Sequence, residues 1–404
     1  MSQTICSLAK NGQMNFRQLL VTAVIGLFCQ PLAQAQLTIN GTIVHDTIDR
    51  DFILYVPSSY NPSVPAPLVF NFHGYTSNAF DQMWYGDFRA IAETAGFLIV
   101  HPQGTLDGTG TTHFNVGWGG STTDDVGFTD ALIDSIAADY NIDLDRIYST
   151  GMSNGGFMSF LLACELSDRF AAVASVTGSI APAKLVACNP QHPTPIMQIH
   201  GDNDGTVPYT GGFGWSESIS NVVSYWTGYN NCTAAPIVTN VPDINVTDGS
   251  TVEHYLYEDG DNCVEVEHYK IINGDHTWPG SSIIFPGTNY DINASEKIWE
   301  FFSKYDINGE IGCVIGINET IHEQSNFEMY PNPTSSKVHL NFGYSGTKTI
   351  RICNAMGSLV SVSSTNKDNL IISSEGWGSG FYFVKVTDEQ QVTVVKKLHV
   401  IEGK

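Results

Sequence analysis

The feature that most constrains the fold is a predicted strand that ends in Gly151-Met152-Ser153-Asn154-Gly155 and continues directly into a predicted helix. The strand begins at Arg146-Ile147-Tyr148. The apolar residues after the motif fall on one helical face: Phe157, Phe160, Leu161 and Cys164. Glycine on both sides lets strand and helix pass closely, so the motif predicts a tight strand–turn–helix unit with the Ser153 hydroxyl exposed.

Short apolar strands alternate with helical segments before and after this unit. The predicted strands are 68–72, 97–100, 171–176 and 196–199, and the predicted helices include 90–95 and a stripe over 132–140. This alternation predicts an α/β fold of βαβ units, with a mostly parallel sheet and a functional site at the carboxyl ends of its strands. Residues 36–57 alternate apolar and polar residues and predict an N-terminal hairpin.

Composition and pattern divide the chain into four segments. Basic Arg17, the apolar run 19–28 and Ala33-Gln34-Ala35 predict a signal peptide over residues 1–35. Residues 36–305 carry the α/β pattern and form the expected larger domain. Residues 306–326 are polar and are expected to be a linker, whereas residues 327–404 show only strand patterns and predict a small β-sandwich-like domain.

The chain is strongly acidic, with 41 Asp and Glu against 18 Lys and Arg and a formal net charge of -23. Such a surface repels phosphate backbones, which argues against nucleic acid as a partner. Export would allow disulfides. No cysteine pair has CxxC spacing and no histidine lies beside one at metal-ligand spacing, so a zinc site is not predicted.

A serine becomes a nucleophile when a base takes its proton and a third group orients the base. The order Ser, acid, His is the one found with the G-x-S-x-G motif. Ser153 is the expected nucleophile, although an ordinary serine in a surface turn is the alternative. His276, in a loop bounded by Gly and Pro, is the expected base. Asp204 is the expected acid, with Asp202 in the same loop as the alternative.

Acyl transfer also needs backbone N–H donors for the oxyanion. The residue after the nucleophile, Asn154, supplies one, and Tyr75, after the predicted strand 68–72, is expected to supply the other. Trp118 and Trp278 lie in loops expected near the cleft and are candidate substrate-binding residues. The alternative is that these rings only pack the loops.

Four stretches together resemble the polyhydroxybutyrate depolymerase and feruloyl esterase family: 125–128, 145–156, 200–209 and 276–280. The resemblance covers roughly residues 40–305. It implies an α/β-hydrolase catalytic domain over 36–305 that hydrolyses esters through an acyl-enzyme without a cofactor. The acid block, His200-Gly201-Asp202-Asn203-Asp204-Gly205, departs from the commoner pattern by the extra carboxylate of Asp202. The family pattern also implies two disulfides, Cys164 with Cys188 and Cys232 with Cys263, and leaves Cys313 and Cys353 as candidate free thiols.

The C-terminal region resembles the type IX secretion sorting domain. The matching stretches are 330–333, 354–357, 380–386 and 396–401. The resemblance implies export across the outer membrane by the type IX machinery, to the cell surface or the exterior. A carbohydrate-binding β-module is the alternative, but Trp377 is the only tryptophan of the region to offer for stacking.

These features together predict a secreted serine esterase. The expected substrates are feruloyl or acetyl esters of polysaccharides or hydroxyalkanoate oligoesters. A polyhydroxybutyrate depolymerase acting on the polymer is the first alternative. A peptidase of related fold and a non-catalytic surface-binding protein are the others; the first usually carries a gating domain, and the second has no need of all three triad groups.

Overall fold

The computed structural model describes residues 36–313, 327–343, 345–354, 359–388 and 393–401. The predicted signal peptide, residues 314–326 of the predicted linker and Ala355-Met356-Gly357 lie outside the described residues. The described chain forms two compact units, one ending at Cys313 and the other following it. No helix in the described ranges is long and apolar enough to cross a membrane.

The first unit alternates strands and helices, as the sequence predicts. Its strands are β1 (Leu37–His45), β2 (Ile48–Val56), β3 (Ala66–Phe72), β4 (Leu98–Pro102), β5 (Thr105–Leu106), β6 (Thr112–His113), β7 (Ile142–Met152), β8 (Ala172–Val176), β9 (Ile196–Gly201), β10 (Ile237–Asn240), β11 (Thr251–Tyr257), β12 (Val266–Ile272), β13 (Tyr305–Asp306) and β14 (Gly309–Glu310). Its helices are α1 (Ala79–Tyr85), α2 (Arg89–Ala95), α3 (Asp125–Asp139), α4 (Asn154–Glu165), α5 (Pro182–Ala187), α6 (Ile219–Tyr229) and α7 (Ala294–Phe302).

Ten of these strands form one sheet in the order β1-β2-β4-β3-β7-β8-β9-β12-β11-β10. The six strands from β4 to β12 in this order run parallel to one another. Antiparallel strands flank them: the β1–β2 hairpin on one side, and β11 and β10 on the other. This is an α/β-hydrolase fold, in which the carboxyl ends of the parallel strands share one edge.

Apolar side chains cover both faces of the central strands. Along β3, Leu68 and Phe70 contribute to one core and Val69 contributes to the other. The first core includes residues of α3, α4 and α6, whereas the second includes residues of α2 and α7. A strand buried on both faces has no polar alternation, which is why 68–72 is an almost continuous apolar run.

The second unit contains only strands: β15 (Phe327–Tyr330), β16 (Lys337–Phe342), β17 (Lys348–Asn354), β18 (Leu359–Thr365), β19 (Asn369–Ser373), β20 (Gly380–Asp388) and β21 (Thr393–Val400). They form two antiparallel sheets, β15-β16-β19 and β18-β17-β20-β21. Inward-facing residues of both sheets, such as Leu340 and Val384, share one buried core. The predicted β-sandwich-like domain is confirmed.

The structure corrects the predicted linker. Residues 306–313 belong to the first unit, because β13 and β14 pair as a small hairpin and Cys313 is bonded to Cys263. The hairpin packs closely on the turn before β12: a Cβ at Gly309 would lie 2.4 Å from the Asn262 carbonyl oxygen. The polar composition of this segment reflects its place on the surface of the first unit.

Candidate active site

Ser153 lies at the turn between β7 and α4. Its backbone has φ 54° and ψ -119°, a conformation that a non-glycine residue adopts only when the surrounding structure holds it. A Cβ at Gly151 would lie 2.6 Å from the Phe72 carbonyl oxygen, and one at Gly155 would lie 2.1 Å from the same atom. Both glycines are therefore required for strand and helix to pass, as the motif predicts.

His276 and Asp204 meet from two separate loops at the same edge of the sheet. Asp204 follows β9 and His276 follows β12, and these strands are parallel neighbours. His276 Nδ1 donates a hydrogen bond to Asp204 Oδ2 over 2.7 Å. With the proton on Nδ1, the Nε2 atom carries a lone pair and can accept a proton. Ser153 and His276 line one cavity.

Asp204 is held as a charged, oriented acceptor. Its side chain is fully buried, and its Oδ1 atom accepts hydrogen bonds from the Thr206 and Val207 amides, each over 2.8 Å. Burial acts to raise the pKa of this carboxyl. The hydrogen bond from His276 and the charges of His276 and His200 outweigh burial and hold the pKa below its ordinary value. The carboxylate is thus suited to orient the imidazole and to stabilise its charged form.

Asp202, the other carboxylate of the loop that contains Asp204, makes different contacts. Asp202 Oδ1 accepts a hydrogen bond from the Asn273 amide over 2.7 Å, and Asp202 Oδ2 lies 3.4 Å from Lys270 Nζ. Asp202 therefore ties the acid loop to the end of β12, and Asp204 is the acid that contacts His276. His200 is structural as well: it is fully buried and donates from Nε2 to the Val207 carbonyl over 2.8 Å, and burial lowers its pKa to about 4.

The two predicted oxyanion donors are free to bind a ligand. Neither the Tyr75 amide nor the Asn154 amide donates a hydrogen bond to any acceptor among the described residues. Asn154 is the first residue of α4, where amides have no partner within the helix. Gly74, next to Tyr75, lies against the nucleophile, because a Cβ there would be 3.4 Å from Ser153 Cβ. Both amides therefore flank Ser153.

One loop, residues 104–115, holds both of these donors in place. His73 donates from Nδ1 to the Gly74 carbonyl over 2.7 Å, and its Nε2 atom accepts from the Gly104 amide over 2.9 Å. The Asn154 side chain accepts from the Phe114 amide over 2.7 Å and donates to the Phe114 carbonyl over 3.0 Å. Burial lowers the pKa of His73 to about 4, so this ring stays neutral and keeps its acceptor.

A buried ion pair extends this support. Arg50 of β2 donates to Asp125 Oδ1 over 2.5 Å, and both side chains are buried. The other oxygen of Asp125 accepts from the Asn115 amide over 2.7 Å. Burial raises the pKa of Asp125 above its ordinary value, with the Arg50 charge opposing that rise. The pair fixes the end of the loop that contacts Asn154.

A cavity of about 600 Å³ opens at Ser153 and His276. Its wall is mostly apolar, and its aromatic and aliphatic lining residues are Tyr75, Phe80, Trp84, Tyr85, Ile283 and Phe285. Phe80 and Trp84 are one turn apart on α1, with ring centroids 6.3 Å apart, and Tyr85 contacts Phe285 with centroids 5.3 Å apart. The cavity suits an uncharged, apolar or aromatic group next to a nucleophile.

Comparison with protein families gives one match in each unit. Residues 124–234, which include the Ser153 turn and Asp204, match the family described as phospholipase/carboxylesterase. Residues 328–401 match the secretion system C-terminal sorting domain, so the prediction that the chain is exported to the cell surface or the exterior is confirmed.

Curated relatives of the first unit are esterases. A probable feruloyl esterase C of Aspergillus flavus is 31% identical over 201 residues, which cover 48% of this chain and 68% of that protein. A counterpart in Aspergillus terreus is 31% identical over 210 residues, 48% of this chain and 72% of that protein. This chain belongs to the α/β-hydrolase family of carboxylic ester hydrolases.

A bifunctional acetylxylan esterase/xylanase of Neocallimastix patriciarum is 27% identical to this chain over 277 residues. The match covers 68% of this chain but only 36% of that protein. The chain thus spans about a third of that longer relative.

The structure corrects the predicted tryptophan contacts. Trp278 is 1% exposed; it packs against Phe88 and donates from Nε1 to the Ser295 hydroxyl, so it belongs to the core of the first unit. Trp118 lies outside the lining of the 600 Å³ cavity and packs on Phe157 and Trp215. The aromatic residues at the cavity come mainly from α1, whose signal in the sequence is the N-cap Asn78 with aromatic residues four positions apart.

One of the two expected disulfides is present. Cys164 is bonded to Cys188, as predicted. The expected pair of Cys232 with Cys263 is wrong: Cys263 is bonded to Cys313, and Cys232 and Cys353 are free. The β13–β14 hairpin brings Cys313 to Cys263. The Cys232 thiol is partly buried near the Val264 carbonyl, and burial raises its pKa to about 11.

Proposed function

We propose that this chain is a secreted serine esterase that hydrolyses carboxylic esters of polysaccharides through an acyl-enzyme. Ser153 is the nucleophile, His276 the general base and Asp204 the group that orients the base. The observation that carries the proposal is the 2.7 Å hydrogen bond that the buried Asp204 accepts from His276, together with the cavity that His276 and Ser153 both line. A nucleophile, an oriented base and two unpaired amides are the parts that acyl transfer needs.

In the first half of the reaction, His276 Nε2 accepts the Ser153 proton while Ser153 Oγ attacks the ester carbonyl carbon. The negative charge that develops on the carbonyl oxygen is stabilised by the Tyr75 and Asn154 amides. The bond to the alcohol oxygen then breaks. His276 gives its proton to that oxygen, and the acyl group stays bonded to Ser153.

The second half repeats these steps with water. His276 takes a proton from the water molecule, and the hydroxide attacks the acyl carbon. The bond to Ser153 Oγ breaks, the serine regains its proton from His276, and the carboxylic acid leaves. Asp204 keeps its negative charge throughout and stabilises the imidazolium that forms in each half.

The cavity and the relatives support a substrate class. The aromatic wall of Tyr75, Phe80 and Trp84 suits a phenolic acyl group, and the curated relatives carry names of feruloyl and acetylxylan esterases. Feruloyl or acetyl esters of polysaccharides are therefore the proposed substrates, with hydroxyalkanoate oligoesters as a further class. We also propose that the type IX secretion machinery is the partner that exports the chain, on the basis of the sorting-domain match.

The test is a panel of esters given to the wild type and to Ser153→Ala: methyl ferulate, p-nitrophenyl acetate to octanoate, acetylated xylan and a polyhydroxybutyrate suspension. Removing the nucleophile should reduce turnover by about four to six orders of magnitude without lowering the melting temperature. Ser167→Ala, a serine outside the cavity, is the control for a lost hydroxyl. Near-normal turnover by Ser153→Ala would refute the assignment.

The panel also separates the alternatives. Clearing of the polyester with little turnover of ferulate or acetylated xylan would identify a depolymerase. A folded wild type that turns over none of the esters and does not react with a fluorophosphonate probe would indicate a non-catalytic surface-binding protein.

A further inference from the structure

A second cavity lies beside the candidate active site. It measures about 470 Å³ and is bounded by the β1–β2 hairpin, the start of α1 and the residue after β4. Phe80 lines both this cavity and the one that contains Ser153. The ring is 58% exposed, so the second cavity is reached from the first by passing one aromatic side chain.

The chemistry of the second cavity differs from that of the first. Its lining includes five polar residues: Asn40, Thr42, Asp51, Asn78 and Gln103. Two of them serve the structure, because Asn78 caps α1 through the Asp81 amide and Gln103 accepts from the Ala79 amide.

The remaining three polar residues face the cavity from the hairpin. Thr42 donates to Asp51 Oδ1 over 2.6 Å, which leaves Asp51 Oδ2 as an acceptor. The side-chain amide of Asn40, which also lines the cavity, makes no hydrogen bond to another described residue. Asn40 and Thr42 are two residues apart on β1, and Asp51 is the cross-strand partner of Thr42, so all three lie on one face of the sheet.

We propose that this cavity is a saccharide subsite that binds a neutral sugar unit of the chain to which the ester is attached. The inference rests on the proposed esterase function and names the alcohol part of its substrate. A carboxylate and a hydroxyl that already donates can only accept further hydrogen bonds. Asp51 and Thr42 therefore match the O–H donors of a sugar, and the unpaired Asn40 side chain can donate to a sugar oxygen. A polyester chain carries no O–H donors.

Two further observations fit a neutral sugar. The exposed Phe80 ring offers an apolar surface on which the C–H face of a sugar ring is removed from water. Asp51 and the net charge of -23 repel anionic sugars such as uronates. A sugar unit bound here places its ester beyond Phe80, in the cavity of Ser153.

The test compares two esters with the same acyl group: an acetylated xylo-oligosaccharide and p-nitrophenyl acetate. The variant is the double substitution Asn40→Ala with Asp51→Ala, and the matched control is Asp49→Ala, which removes the same charge from the same strand outside the cavity. We expect the double variant to lower kcat/KM for the oligosaccharide ester about tenfold, through KM, as the loss of one or two hydrogen bonds predicts. Turnover of p-nitrophenyl acetate should not change.

A calorimetric titration with unesterified xylohexaose makes the test independent of catalysis. Binding by the wild type and by Asp49→Ala, and its loss in the double variant, would support the subsite even if no ester were turned over; in that case only the proposed function would fail. Equal effects of the double variant on both esters, or no effect on either ester and none on xylohexaose binding, would overturn the subsite while leaving an active esterase.

Discussion

Among single residues, the two carboxylates of the acid loop allow the sharpest test of the proposed triad. Asp204→Asn removes the charge that orients His276, and an amide can force the imidazole into the wrong tautomer. We expect kcat to fall about 10⁴-fold, the size of this effect in serine hydrolases with a known triad. Asp202→Asn should leave kcat within about threefold, because Asp202 contacts Asn273 and Lys270.

The measurement is ester turnover by both variants, with melting temperatures to show that each is folded. A severe loss in Asp202→Asn with Asp204→Asn unaffected would reverse the assignment of the acid.

The local motifs were enough to locate Ser153, Asp204 and His276 at one edge of the sheet, and they were not enough for residues whose positions depend on packing. Ser153, Asp204 and His276 follow from a turn motif and two loops after strands. Trp278 lies two residues after His276 but points into the core, because its ring packs on Phe88 of the segment before α2. Such a long-range contact has no local signature, so a tryptophan beside a catalytic motif is easily taken for a substrate contact.

At the scale of loops and helices, the two hydrogen bonds between the Asn154 side chain and the Phe114 backbone allow a second test. Their removal should reduce catalysis more than it reduces stability. Asn154→Ala keeps the backbone amide but frees the loop that the side chain holds. We expect kcat to fall about tenfold or more, because small misplacements of oxyanion donors are costly, with little change in KM.

Asn230 provides a matched control for this substitution. It is also buried, and it makes the same reciprocal pair of hydrogen bonds, over 2.9 and 2.7 Å, with the backbone of Thr194, away from the cavity. Asn230→Ala should lose a similar amount of stability, about 1–3 kcal/mol for the unsatisfied groups, with kcat unchanged. Equal kcat values for the two alanine variants would show that the Asn154 side chain does not position the donor.

The ion pair between Arg50 and Asp125 joins the hairpin, the loop and α3. Asp125→Asn would leave a buried guanidinium without its countercharge, so we expect the free energy of unfolding to fall by about 3–5 kcal/mol. Asp124→Asn is the control: this neighbour is an exposed N-cap, and asparagine caps helices as well as aspartate does. Urea unfolding of the two variants measures the difference, and identical midpoints would contradict the role of the pair.

The elements that the sequence did not predict are short or are held by distant contacts. α1 has seven residues, too few for a strong periodic pattern, although its N-cap Asn78 and following Gly86 are visible. The β13–β14 hairpin lies in a polar stretch, and a disulfide to Cys263 and the close approach of Gly309 to Asn262 fix its position. The buried strands are almost continuous apolar runs, and α4 follows the glycine–serine motif directly. These local signals are why the parallel sheet follows from the sequence.

At the scale of the molecule, each unit has its own buried core. The candidate active site is built entirely from the first unit, and the match to a sorting domain falls entirely in the second. The candidate active site and the match to a sorting domain therefore belong to separate units. Each unit packs around its own core, as independent domains do.

Four of the buried histidines have lowered pKa values and make the stability of the first unit depend on pH. Burial lowers the pKa of His73 and His200 to about 4, and that of His101 and His268 to about 3, from an ordinary value of 6.5. Between pH 6.5 and 4 the unfolded chain binds protons at these sites and the folded chain does not. The free energy of unfolding therefore falls as pH is lowered through this range, by up to about 1.4 kcal/mol per histidine and pH unit.

Urea unfolding followed at pH 7.5, 6.5, 5.5 and 5.0 measures this dependence. Carboxylates with ordinary or lowered pKa values titrate mainly below this range, so the slope between pH 6.5 and 5.0 reports chiefly on histidines. His268→Asn removes one of these four titrating rings. It should make the slope of the free energy of unfolding against pH shallower by up to about 1.4 kcal/mol per pH unit, the contribution of one proton. A midpoint that does not change between pH 6.5 and 5.0 would mean that these rings are protonated in the folded chain, and it would remove the neutral His73 acceptor on which the Gly104 contact depends.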